Sequence, residues 1–188
     1  QGTAYIANLC IENNIKKLAY VSSIAALGSE TTSAVIDETT AWNPTEEKTP
    51  YAYSKYGAEL EVWRASQEGV PVVIVNPGVI LGDGMPRTPY AQLVTQTQKG
   101  IRFYPEGKTG YVAVEDVVDA LINLMESSIE NERYILVAEN WLYKDIITFI
   151  AKAMGKQEPK WRLKPAYLYI VWFFESCLSL LKLRHKFL

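Results

Sequence analysis

Thr49-Pro50-Tyr51-Ala52-Tyr53-Ser54-Lys55-Tyr56-Gly57-Ala58-Glu59 sets a tyrosine and a lysine four residues apart behind a proline. Pro50 suits the first turn of a helix, and on a helix Tyr51 and Lys55 share one face. An ammonium beside a phenol favours the phenolate, so a tyrosine placed there can trade a proton nearer neutral pH. It can then serve as a general acid or base. The same spacing also suits ordinary amphipathic packing of Tyr51, Tyr53 and Tyr56, so the flanking chain has to decide.

Upstream, residues 2–13 carry a helical apolar face at Ile6, Leu9 and Cys10, stopped by Asn13-Asn14. Lys17 to Ser22 reads as a short buried strand ending in two serines, Ser22 and Ser23. A polar loop rich in Thr, Glu and Pro runs from Gly28 to Pro50. Downstream, the helix of Tyr51 extends to about Gln67 and closes at Gly69. Val70 to Val75 is nearly all β-branched, as in a parallel strand covered on both faces. Asn76-Pro77-Gly78-Val79 then reads as a turn leaving the strand's carboxyl end, where open α/β sheets hold their ligands. Helix alternating with strand predicts an α/β fold on a parallel sheet with right-handed crossovers.

Further elements are expected over Thr88–Lys99 (helix), Ile101–Tyr104 (strand), Tyr111–Val114 (strand), 115–126 (helix) and Arg133–Val137 (strand). A helix over Leu142–Met154 is expected to be capped by Asn140 and closed by Gly155. The elements shorten after residue 83. The expected organisation is therefore a main α/β domain over 1–83 and a small mixed α+β lobe over 84–188, with 111–126 returning to the main domain.

Composition narrows the function classes. A net charge of −2 with mixed signs argues against a nucleic-acid partner. Cys10 and Cys177 are far apart, without metal-ligand spacing, and read as reduced residues of a cytoplasmic protein. His185 is the sole histidine and lies in the tail, which removes histidine triads and zinc sites; no metal is expected. Asp116 reads as a first-turn helix charge. Ala166 to Leu183 is mostly apolar and aromatic, and a docked or interfacial helix is favoured over a membrane span because Glu175 and Lys182 interrupt it. Membrane contact through 166–186 stays open.

Ser22-Ser23, Tyr-x-x-x-Lys and a post-strand Pro-Gly turn, in this order, resemble the extended short-chain dehydrogenase/reductase family. The likeness is to its NAD-dependent epimerase/dehydratase and dihydroflavonol-reductase-like members. It rests on Gly2-Thr3, on Tyr20 to Gly28, on Glu38 to Pro44, on Pro50 to Lys55 with Glu59, on Asn76 to Val79, and on Tyr111 to Val117. The resemblance implies a Rossmann-type fold with Ser23 polarising a carbonyl, Tyr51 as acid/base, and Lys55 also holding the nicotinamide ribose. Ser23 is preferred to Ser22 because it stands five residues before Gly28. Pro77, Gly78 and Val79 would line the nicotinamide of NAD or NADP. Ile24, Ala25 and Asn76 are candidate substrate contacts beside Ser23. Many relatives carry Arg where Asn76 stands, and a structural role for Asn76 is favoured.

The glycine-rich phosphate turn with which that family begins is absent from these residues. Gly82-Asp83-Gly84 lacks a third glycine, and Gly107-Lys108-Thr109 has Arg102 where a P-loop requires glycine. The chain therefore reads as a C-terminal fragment, expected to be inactive alone. The expected parent activity is hydride transfer to or from a carbonyl or alcohol of a small-molecule substrate. The alternatives are a nucleotide-sugar epimerase or dehydratase with the same three residues, and a non-catalytic binding protein that retains the fold. The apolar Ile24 to Leu27 leans toward a less polar substrate. A homodimer through helices 2–13 and 51–67 is implied by the resemblance.

Overall fold

A computed structural model describes residues 1–28, 35–83 and 89–163. The apolar stretch 166–186 lies outside the described residues. The elements in order are α1 (Gly2–Glu12), β1 (Leu18–Val21), α2 (Pro50–Gln67), β2 (Val72–Pro77), β3 (Val79–Leu81), α3 (Pro89–Gln98) and β4 (Phe103–Tyr104). They continue with β5 (Lys108–Ala113), α4 (Val114–Glu126), β6 (Glu132–Leu136), β7 (Glu139–Leu142), α5 (Tyr143–Ala153) and β8 (Trp161–Arg162). The chain divides into two compact units: Gln1–Gly84 with Gly110–Asn140, and Met85–Thr109 with Trp141–Leu188.

The first unit is built on a parallel sheet in the order β1-β2-β6, with Leu18 opposite Val72 and Val73 opposite Glu132. Val72, Val73, Ile74 and Val75 are fully buried in its central strand. Each such side chain contributes roughly 1.5–3 kcal/mol through removal from water. Val72 and Ile74 pack with Val62 of α2, Leu18, Tyr20 and Trp63. Alternate residues of a strand face opposite ways, so Val73 and Val75 point to the other face. Ala7 and Cys10 of α1 meet Ala65 and Val70, which joins the two helices. Helix α4 packs on β1 and β2, and the Lys17 ammonium donates to the carbonyls of Leu124 and Ser127 at the α4 terminus (2.5 and 3.0 Å). A Rossmann-type parallel fold is thus present.

Helix α2 starts where Pro50 predicts. Thr49 is its N-cap, with Oγ1 accepting from the Ala52 N–H at 3.2 Å. Its end also follows the sequence: Gly69 adopts a left-handed φ of +97° just past the helix. Other boundaries differ. Strand β2 does not turn at Asn76; it continues through Asn76 and Pro77, which stand opposite Ile135 and Leu136 of β6. Strand β5 begins three residues earlier than expected, at Lys108. Asn140 does not cap α5. It lies in β7, and Leu142 holds the cap position without a side-chain bond.

In the second unit β4 pairs in parallel with β8, Phe103 opposite Trp161 and Tyr104 opposite Arg162. An Arg162–Glu106 ion pair accompanies them. Ile146, Ile147 and Ile150 form the buried face of α5, which packs against α3. Among the described residues no helix is long and apolar enough to cross a membrane.

The turn after β2 depends on close backbone approach. A Cβ on Gly78 would run into the carbonyl oxygen of Gly110, 2.7 Å from its carbon and 3.3 Å from Val137 Cγ2. Backbone cannot yield as a side chain can. Gly78→Ala is expected to cost roughly 1–3 kcal/mol in urea unfolding. Gly57, inside α2 with nothing within 4 Å, is the comparison. Gly57→Ala is expected to be neutral or to add about 0.5–1 kcal/mol.

Candidate functional site

The first turn of α2 and the carboxyl end of β1 hold the residues expected to carry the chemistry. Val21 ends β1, and the next residues are Ser22 and Ser23. Their hydroxyls have different surroundings. Ser22 is 3% exposed and its Oγ has no partner among the described residues. Ser23 is half-buried, caps the short 3-10 turn Ile24–Ala26, and accepts from the Ala25 N–H at 3.2 Å. Of the two, Ser22 is the one closed off from solvent.

Lys55 lies one turn into α2 and is fixed by the strand end. Its ammonium donates to the Val21 carbonyl at 3.1 Å and stands 5.6 Å from the centre of the Tyr20 ring. Tyr51 is 58% exposed, and its hydroxyl has no hydrogen-bond partner among the described residues. Lysine and serine are therefore bracketed on the same strand end, while the phenol stands open toward solvent. Asn76 is fully buried; its amide nitrogen donates to the Ser23 carbonyl (3.0 Å) and to Glu59 Oε2 (2.8 Å). Pro77 is buried in β2, and Gly78 and Val79 are half-exposed at the turn that follows. Ile24 and Ala25 are half-exposed in the 3-10 turn.

The site has a buried support of which the sequence singled out Glu59 and Asn76, without showing that they meet or that Arg133 joins them. Glu59, 2% exposed, lies one turn beyond Lys55. Its carboxylate accepts from Asn76, from Trp63 Nε1 (3.4 Å) and from Arg133 (3.2 Å). Arg133, on β6, also donates through Nε and a terminal nitrogen to the Glu38 carbonyl at 2.8 and 2.6 Å, and to the Thr40 carbonyl at 3.4 Å. Glu38 in turn accepts from the Ile135 N–H at 2.9 Å. The one sequence signal was a glutamate on the apolar face of a helix, in register with Ala52, Val62 and Ala65.

The loop before α2 is fastened at both ends. Hydrogen bonds from the Thr39 hydroxyl, and then from Thr39 and Thr40 generally, hold the Asp37 carboxyl below its ordinary range. A carboxylate lowered by folding contributes above its unfolded value and loses that contribution as pH falls through the folded one. Trp42 stacks on Tyr56 (4.2 Å between centroids) and meets Tyr53 edge-on (5.7 Å). Tyr53 and Tyr56 thus pack against the loop.

The second unit has a cavity of 570 Å³ lined by Lys99, Arg102, Lys156, Lys160 and Trp161. Lys99 and Lys156 stand just past the carboxyl ends of α3 and α5, where cations complement the helix dipole. Among the described residues, no cluster of three His, Cys, Asp or Glu could hold a metal.

The parallel sheet, with the Lys55 ammonium fixed at the carboxyl end of β1, is that of the Rossmann-type dinucleotide-binding class. The model describing the NAD dependent epimerase/dehydratase family matches residues 1–137, and the chain belongs to that family. It is 30% identical over 163 residues to cinnamoyl-CoA reductase 1 of Petunia hybrida, covering 80% of this chain and 48% of that protein. It is 28% identical to a putative dihydroflavonol 4-reductase of Synechocystis sp., covering 85% of this chain and 48% of that protein. The crystal structure of gox2253 superposes with a TM-score of 0.82 at 30% identity, over 95% of this chain and 55% of that one. The chain spans about half the length of the curated relatives it matches. The family's cofactor is NAD or NADP. The donor set here fits the ribose and nicotinamide end of such a cofactor: one positioned cation, two hydroxyls and a half-exposed Gly78-Val79 turn. No glycine-rich phosphate turn stands among the 188 residues.

Breaking the buried pair is expected to be costly, because it leaves Glu59 charged without its cation. Arg133→Met should lose about 3–5 kcal/mol in urea unfolding. Combining it with Glu59→Gln should recover part of that loss, and strict additivity in the double-mutant cycle would mean that the two groups do not interact.

Proposed function

We propose that this chain supplies the catalytic hydroxyls of an NAD(P)-dependent oxidoreductase that reduces a carbonyl of a small, weakly polar substrate. The observation that carries this reading is the anchoring of Lys55 on the Val21 carbonyl, two residues before Ser23, with Tyr51 one turn away on the same helix. Ser23 donates a hydrogen bond to the substrate oxygen. Tyr51 delivers a proton to that oxygen, and Lys55 sets positive charge beside the phenol and holds the ribose. The nicotinamide, when bound, would supply the hydride to the carbonyl carbon. Pro77, Gly78 and Val79 would line its face. Preplaced donors of this kind lower the barrier without reorganising during the reaction. In this reading residues 1–83 belong to the cofactor domain and the unit containing α3 and α5 to the substrate lobe.

The names of the relatives support a reductase, and so does the apolar Ile24 to Leu27 stretch beside Ser23. The family description supports a second reading, a nucleotide-sugar epimerase or dehydratase in which the same residues serve a transient oxidation. Tyr51→Phe in the full-length protein is expected to cut turnover at least 10²-fold with cofactor affinity unchanged. Substantial residual turnover would remove Tyr51 from this role. Titration of NADH or NADPH into the 188-residue chain should give binding weaker than micromolar, since it holds no phosphate turn.

We also propose self-association through α1 and α2. Tyr5, Ile6, Leu9 and Leu60 are exposed on these two packed helices, and small residues Gly2, Ala4, Gly57 and Ala58 line a 550 Å³ cavity between them. Light scattering on the full-length protein should give a dimer that Ile6→Glu converts to monomer. A monomeric unsubstituted protein would reject the interface.

A further inference from the structure

We propose that Asn76 is a positioning residue for the serine: it locks the Ser23 backbone to helix α2 through Glu59, so that Ser23 and Tyr51 keep a fixed separation. This rests on the reading of Ser23 and Tyr51 as the reacting pair. Ser23 leaves β1 in extended conformation (φ −167°, ψ 153°) and, among the described residues, has only the Ala25 N–H on its own hydroxyl. Its carbonyl is held by a side chain from the neighbouring strand, the Asn76 amide nitrogen at 3.0 Å. The other hydrogen of that nitrogen goes to Glu59 at 2.8 Å, on the helix that carries Tyr51 and Lys55. One planar amide therefore spans both halves of the site, and Arg133 prevents Glu59 from moving away.

Asn76 gives the buried Glu59 a donor, and it does so at a cost of its own. It follows four fully buried apolar residues, is itself fully buried, and its Oδ1 has no partner among the described residues. An apolar residue there would leave no amide oxygen unpaired. Two donations from one nitrogen, to a backbone carbonyl and to a carboxylate, fix a distance as well as fill a space.

The test uses Asn76→Leu and the gentler Asn76→Thr, which suits a strand and keeps one of the two donated hydrogens. Tyr51→Phe is run in parallel. In the 188-residue chain, amide NMR reads the Ala25 N–H, which reports its bond to the Ser23 hydroxyl. That resonance should shift and its hydrogen exchange should rise at least tenfold, while the amides of Val62 and Val73 hold. In the full-length protein, kcat should fall on the order of 10- to 100-fold with the cofactor KM within about twofold, because a displacement near 1 Å carries that cost. An unmoved Ala25 amide in either folded variant overturns the proposal. Full kcat in the Asn76 variants, with Tyr51→Phe inactive, overturns it while leaving the proposed function standing. Full turnover in Tyr51→Phe overturns the proposed function and this inference together.

Discussion

A carboxylate taken out of water must be met by donors, and Glu59 imposes that requirement on three separate parts of the chain. Arg133 supplies the charge from β6, Asn76 a neutral donor from β2, and Trp63 a weaker one from the next turn of α2. Because the helix cannot roll without stripping Glu59 of these partners, its rotation about its own axis is fixed. At about 100° per residue, Lys55 lies about 40° around from Glu59 and Tyr51 about 80°. The burial follows that progression: Glu59 is buried, Lys55 half-buried, and Tyr51 58% exposed. The electrostatic need of one residue thereby sets how far its two neighbours on the helix emerge from the protein.

The central strand shows where packing yields to polar organisation. Val72 to Val75 fill both faces of the sheet, and the change comes at Asn76, whose side chain begins the polar network. Apolar burial holds the sheet together but is non-directional. It cannot set the spacing of a serine carbonyl from a helix. Hydrogen bonds can, since they weaken steeply with distance and angle. The division of labour places the strong, unspecific contribution behind the site and the directional one directly beneath it.

What could be read in advance follows the range of the interactions involved. The β-branched run of β2, the proline start of α2 and the stops at Asn13-Asn14 and Gly69 are local signals, and the elements they announce are present. Ser23, Tyr51 and Lys55 stand out as candidates because a strand end and a helix start each carry a short pattern. Glu59, Asn76 and Arg133 meet only through the register that sets Asn76 opposite Ile135, which no short window contains. The same limit explains Pro77 and Asn140. Proline ordinarily breaks a ladder and asparagine ordinarily caps a helix, yet pairing with β6 carries β2 through Pro77, and strand β7 occupies the residues before α5.

The segment between Asp37 and Thr49 adds a constraint of a different kind. Arg133 holds it at Glu38 and Thr40, and Trp42 clasps Tyr53 and Tyr56 of α2. The same guanidinium therefore serves the loop and the carboxylate that fixes the helix. A change at the loop's exposed residues, such as Pro44 or Glu47, leaves Glu59 and its donors intact. Loss of Arg133 would release the loop and the helix at once. Freedom to vary in this loop thus depends on Arg133, a half-buried cation that is not itself free to vary.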